Sequence, residues 1–249
     1  MSGRAIEEFD STRERSSIVE LRQYTILPGK RDVLIDIFER EFVKAQEERG
    51  IDMIGQFRDL DNPDRFVWLR GFPDMTNRPR MLESFYSSPE WKANRGTINR
   101  NLVDYDNVLL LRDAWKGSGF QVTDRAQLTR SRVALVTVDI HHLPPGAADE
   151  FTVFFKTRLE PFLKKAGATS LAALVTETAA NNYPRLPVRE GERVLVSFHA
   201  LESLASYDHY LESLDRATAW HASREKTGRR HATVPQTLRL VPTSRSKLG

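Results

Sequence analysis

Glu20, Arg22 and Tyr24 lie two residues apart. On an extended segment that spacing puts a carboxylate, a guanidinium and a phenol on one face, because strand side chains alternate. Such a trio can hold an acidic or phenolic molecule and move a proton. It can equally be a structural network in which Arg22 pairs with Glu20 and fills space. Asp139 and His141 repeat the spacing. They suit a base and the carboxylate that orients it, although a hydrogen-bonded core histidine has the same look. Phe66 and Trp68 offer an aromatic wall, or plain core packing, and Gln56, Arg58 and His199 are candidate polar contacts to a ligand.

Other chemistries are poorly supported. The chain has no cysteine, which excludes disulfides, thiol catalysis and Cys-based metal sites. Its six histidines show neither H-x-x-x-H nor H-E-x-x-H spacing, and none stands out as an axial haem ligand. No Walker loop, G-x-G-x-x-G or G-x-S-x-G occurs. No cofactor is expected. A formal net charge of +3 does not point to nucleic acid. From Arg224 onward there are seven Lys or Arg and one acid, a basic stretch that reads as a solvated terminus or a contact for an acidic partner. No apolar run is long enough to span a bilayer, and the first residues lack a secretory signal, so a cytoplasmic location is expected, without membrane contact.

The elements that must position these residues occur twice. Ile26–Gly50 has a counterpart in Leu143–Gly167: Gly29 falls on Gly146 and Gly50 on Gly167, both at an offset of 117. "ESFYSSPEW", ending at Trp91, matches "ESLDRATAW", ending at Trp220, at an offset of 129. This is a duplicated unit. Each copy reads β-α-β-β-α-β. Strands are expected at 18–26, 53–59, 65–72 and 108–112, and again at 132–140, 170–177, 193–200 and 236–241. Val33, Leu34, Ile37, Phe38, Phe42 and Ala45 mark one helix face, and Phe151, Phe154, Phe155, Leu159, Phe162 and Ala166 mark its counterpart. Pro161 should kink the second of these, and Pro89 is a candidate break in a helix over 78–100. Trp91 and Trp220 are expected to anchor helix to sheet.

The expected fold is therefore α+β: two ferredoxin-like βαββαβ modules, 18–113 and 132–241, joined by a linker at 114–131 and flanked by tails at 1–17 and 242–249. Packed sheet against sheet, they form an intrachain pseudo-dimeric α/β barrel. Val19 and Leu21 then suit the helix-covered side, while Glu20, Arg22 and Tyr24 face a pocket between the two sheets. The segment "TETAANNYPRLPVREGE" in the second copy is about a dozen residues longer than the turn "LDNPD" in the first, a candidate flap over a pocket.

"ELRQYTILPGK", "GQFRDLDNPDRFVWLRGF" and "RPRMLESFYSSPEW", in that order, resemble the NIPSNAP family over about Val19 to Leu111. The second copy keeps Pro145-Gly146 but has "TVDIH" where the first has "ELRQY". The resemblance implies the dimeric α/β-barrel superfamily, which includes cofactor-free monooxygenases, cyclising or decarboxylating enzymes, and haem proteins. The chain also looks bacterial. The expected function is binding of a small aromatic or polyketide-like molecule, with cofactor-independent oxygenase, isomerase or cyclase activity. The alternative is a non-catalytic scaffold whose barrel is filled with side chains and whose partners bind outside. A homodimer of the whole chain stays open.

Overall fold

The computed structural model describes residues 16–121, 133–218 and 235–248. Most of the 1–17 tail, most of the linker, Trp220 and four of the seven basic residues from Arg224 onward lie outside them. The elements are β1 (Ile18–Ile26), α1 (Arg31–Ile37), a π-helical turn (Phe38–Phe42), α2 (Val43–Glu47), β2 (Asp52–Asp59), β3 (Arg65–Phe72), α3 (Arg78–Tyr86), α4 (Pro89–Asn101), β4 (Leu102–Asp104) and β5 (Val108–Asp113). After the linker come β6 (Leu135–His142), α5 (Ala148–Phe154), a second π turn (Phe155–Leu159), α6 (Glu160–Lys165), β7 (Thr169–Thr176), β8 (Val194–Leu201), α7 (Leu204–Asp215) and β9 (Gln236–Pro242).

Eight strands close an antiparallel barrel in the order β1-β3-β2-β9-β6-β8-β7-β5 and back to β1, with the short β4 added beside β1. Two seams join the halves, β2 with β9 and β5 with β7. Closure leaves no long edge open to another chain. No helix among the described residues is long and apolar enough to cross a membrane.

The expected inside and outside of the barrel are exchanged. Val19, Leu21, Val67, Leu69, Val136, Val138, Leu174, Val196 and Leu240 pack into one buried aliphatic cluster. This packs the barrel interior with aliphatic side chains where a pocket between the sheets was expected. Tyr24, Phe66 and Trp68 belong instead to the cluster under the helices, with Phe38, Phe42 and Phe85. The reason is volume. The lumen of an eight-stranded barrel is just wide enough for side chains to fill, and branched aliphatics fill it without burying charge. The sheet–helix layer is where guanidiniums and large rings fit.

Two local devices set these faces. Between Met53 and Gly55 the β2–β3 register shifts. The bulge directs Phe57 into the barrel and leaves Gln56 opposite Trp68. Gly55 is required there, since a Cβ would sit 2.5 Å from the Phe57 ring. The π turn adds a residue to the first helix and rotates its phase. Ile35 is consequently buried, while Val33 is 47% exposed, contrary to the expected face. The turn recurs at the same offset of 117 in the second half. There it is followed by Pro161 in the first turn of α6, where a missing N–H costs little. The predicted break at Pro89 is present: Ser88 caps α4 by accepting from the Trp91 N–H at 3.2 Å.

Candidate functional site

Glu20 anchors a buried ion cluster. In the β1–β3 register it lies opposite Arg70, with Arg22 opposite Trp68, and α3 begins with Arg78. Its Oε2 accepts from Arg22 Nη1 at 2.6 Å and Arg70 Nε at 2.8 Å, and its Oε1 accepts from Arg78 Nε at 2.8 Å. All four side chains are fully buried. Burial alone would push the Glu20 carboxyl up. Arg70, Arg22 and Arg78 outweigh it and hold the group far below the usual carboxylate range.

The cluster extends to Tyr24 and Gln46. Arg22 Nε donates to the Tyr24 hydroxyl at 3.0 Å, and Arg70 Nη1 donates to Gln46 Oε1 at 3.1 Å. Burial raises the Tyr24 pKa, Arg22 opposes this, and the balance stays upward. The phenol is thus protonated at neutral pH. Its oxygen already accepts from Arg22, so its own hydrogen is available as a donor. The guanidiniums also pack on rings: Arg22 lies 5.4 Å from the centroids of Tyr24 and Trp68, and Arg70 lies 5.1 Å from Trp68.

Above this floor, between sheet and helices, is a cavity of about 200 Å³. Tyr24, Trp68, Phe38, Phe42, Phe85 and Trp91 form much of its wall. Their rings meet edge to face, as in Tyr24–Trp68 at 5.6 Å and Phe38–Trp68 at 4.7 Å. Trp68 Nε1 is buried and has no hydrogen-bond partner, a donor left over for a ligand or water.

The long connection of the second half closes the mouth of this cavity. Asn181 and Asn182 accept from Arg78 Nη1 at 3.1 and 2.8 Å. Tyr183 stacks on Tyr86 with centroids 6.2 Å apart and donates to Glu83 at 2.8 Å. Burial, then that bond to Glu83, pushes the Tyr183 phenol up to about 12. Arg185 pairs with Glu83 at 3.3 Å. Tyr183, Arg185 and Leu186 all line the cavity.

Glu20, Arg22, Tyr24 and Trp68 are therefore brought together, but under the helices. Phe66 packs behind the wall, 5.2 Å from Phe38. Gln56 is fully buried opposite Trp68. Arg58 leaves the group and pairs with Asp32 at the surface, at 2.8 Å. Asp139 and His141 do share a face, as expected, but under the second half's helices. Asp139 accepts from Thr237 Oγ1 at 2.6 Å, and His141 packs 5.3 Å from Phe151 and 5.8 Å from Phe155. His199 is buried beside Thr137, and desolvation lowers its pKa to about 4. Trp91 packs on Phe42, Phe85 and Tyr86 rather than pinning helix to sheet. Sequence reasoning missed Arg70, Arg78 and Gln46 as parts of one site, and it marked the long connection as a candidate flap without its destination. Arg70 was detectable as the next residue on the face of Trp68; Gln46 and Arg78 needed the fold. Among the described residues, no group of three or more His, Asp or Glu is placed to hold a metal ion.

The Glu20-Leu21-Arg22-x-Tyr24 strand, the Gly55-x-Phe57 bulge and the Arg78 helix are now accounted for in space. Residues 19–112 match the NIPSNAP family model. The NIPSNAP match thus covers the half that carries the cavity. A NIPSNAP-like domain protein from Burkholderia xenovorans is 29% identical, over 37% of this chain and 81% of its own (TM-score 0.35). Other structures are similar along almost the whole chain, two of them as follows. A "putative monooxygenase" from Lactobacillus acidophilus NCFM is 12% identical, covers 92% of this chain and 94% of its own, and has a TM-score of 0.57. An anthrone oxidase-like protein is 15% identical, covers 93% of each chain, and has a TM-score of 0.58. At these identities the likeness extends to the fold alone. No curated protein matches the sequence.

Proposed function

We propose that the chain is an intrachain pseudo-dimer of two ferredoxin-like modules. It binds a small aromatic or polyketide-like molecule in the first module's cavity and oxygenates it without a cofactor. The observation that carries this reading is the Tyr24 hydroxyl, charged from behind by Arg22, at the wall of an aromatic cavity. Rings clamp a flat ligand. Tyr24 donates to a ligand carbonyl and stabilises the enolate that forms as the adjacent carbon gives its proton to solvent water at the mouth, before the flap closes; that proton is regained in the water the reaction releases. An electron-rich enolate then reduces dioxygen. Overall, R₂CH₂ + O₂ gives R₂C=O + H₂O, so the carbon is oxidised by four electrons and dioxygen takes them. The flap excludes water from the reacting molecule.

The alternative, a non-catalytic scaffold, expects side chains to fill the barrel, and they do. The cavity under the helices favours ligand binding over it. Anthrone is a suitable first probe, given the similarity to an anthrone oxidase-like fold. Quinone formation is followed by visible absorbance alongside oxygen consumption. The expected result is turnover that Tyr24→Phe lowers about 100-fold with the protein still folded. Quinone formation no faster than in buffer would sink the oxygenase assignment for this probe class.

A further inference from the structure

We infer that the cavity selects ligands bearing an acidic hydroxyl, a phenol or enol, and holds them as the anion. This rests on the reading that the cavity binds a small molecule, and it deepens that reading. Beneath the floor one carboxylate, Glu20, faces three guanidiniums, Arg22, Arg70 and Arg78, all fully buried. The cluster therefore carries a net charge of +2 that no solvent reaches. Buried charge without a counter-charge is expensive, and an anion in the adjacent cavity offsets it.

Hydrogen-bond supply points the same way. Both Glu20 oxygens and the Gln46 carbonyl oxygen already accept from arginines. What the floor offers to the cavity is donors, the Tyr24 hydroxyl hydrogen and Trp68 Nε1, which has no partner; the unpartnered Gln56 amide opposite Trp68 is not part of the cavity lining. A neutral phenol bound there meets donors where its own hydrogen needs an acceptor, whereas a phenolate oxygen accepts from both. The other ionisable groups around the cavity are Tyr86, Tyr105, Tyr183 and Arg185, with Glu83 paired to Tyr183 and Arg185 at the mouth. Glu83 is thus neutralised locally, and among the described residues no carboxylate lines the wall.

The test uses 4-nitrophenol, whose anion is coloured, and 4-nitroanisole, the same shape without an ionisable hydroxyl. Binding of each is measured calorimetrically, and bound nitrophenol is titrated by its visible absorbance. The expected result is an apparent pKa of the bound phenol lower than in buffer by about one unit or more, with nitroanisole binding at least about tenfold more weakly, the counterpart of that shift. Tyr24→Phe should bind nitrophenol with a smaller shift. If nitrophenol binds and its titration is unmoved or raised, anion selection fails while the cavity reading stands. If neither compound binds, both fail together.

Discussion

Replacing Glu20 by Gln changes one atom type at the centre of the cluster. The charge of the four-residue group rises from +2 to +3, and all three guanidiniums face an amide in place of a carboxylate. Breaking a buried ion pair by removing one partner costs about 3–5 kcal/mol. For a chain of this size each kcal/mol moves Tm by about 2–4 °C, so Glu20→Gln should melt roughly 6–20 °C below the parent. The pH sign is fixed by the depressed carboxyl. Its contribution is fully present above the unfolded carboxylate pKa of about 4.3, and it is lost only as pH falls toward the much lower folded value. The Tm difference should therefore be level from pH 5 to 8 and shrink in acid. The double variant Glu20→Gln/Arg78→Met returns the group to +2 and should recover part of the loss. Circular dichroism melts of the parent, the two single variants and the double variant decide the matter. A Tm drop under about 2 °C for the single variant, or a double variant worse than the sum of its parts, would refute the view that Glu20 neutralises the arginines.

Three further outcomes are expected. His199, with its pKa lowered to about 4, makes the fold resist protonation; stability is intact above about 6.5 and falls by about 3 kcal/mol as pH drops toward 4. His199→Gln should flatten urea midpoints in that window, and an unchanged slope would contradict it. Gly55→Ala pushes a methyl into the Phe57 ring and should cost about 1–3 kcal/mol, relieved by adding Phe57→Leu. Removing residues 243–249 deletes the contacts of Ser244 and Arg245 with Glu39, of Lys247 with Asp52, and of Thr243 with the Gln56 carbonyl; denaturant titration should show a loss of about 2 kcal/mol or more, and a parental midpoint would mean that this segment only lies alongside the fold.

Alternation in β1 made the Glu20–Arg22–Tyr24 grouping readable, and Pro-Gly turns, Gly50 and Gly167 placed the helix ends. Which face was which was not readable. Both faces of β1 are buried, so burial gave no polarity, and the decision lay in how much volume a closed barrel encloses. The π turn at Phe38–Phe42 has no composition signal, and it moved Ile35 in and Val33 out. The bulge at Ile54 was hidden for the same reason, although Gly55 followed by Phe57 was its trace. The flap was visible as extra length, but its destination across the barrel, on Arg78 and Tyr86 of the other half, is a property of topology rather than of local sequence.

The flap belongs to the half that does not own the cavity, and this gives the cavity a mechanical office. Opening its mouth means peeling Asn181, Asn182 and Tyr183 away from Arg78, Glu83 and Tyr86, which loosens one half from the other. An occupant that keeps the mouth shut is therefore a rivet between them. At a hundredfold excess over Kd it would add about 2.7 kcal/mol to the closed form, shared by residues it never touches. The sensitive gauge of occupancy then lies far from the rings that hold the molecule, in how firmly the second half resists a protease.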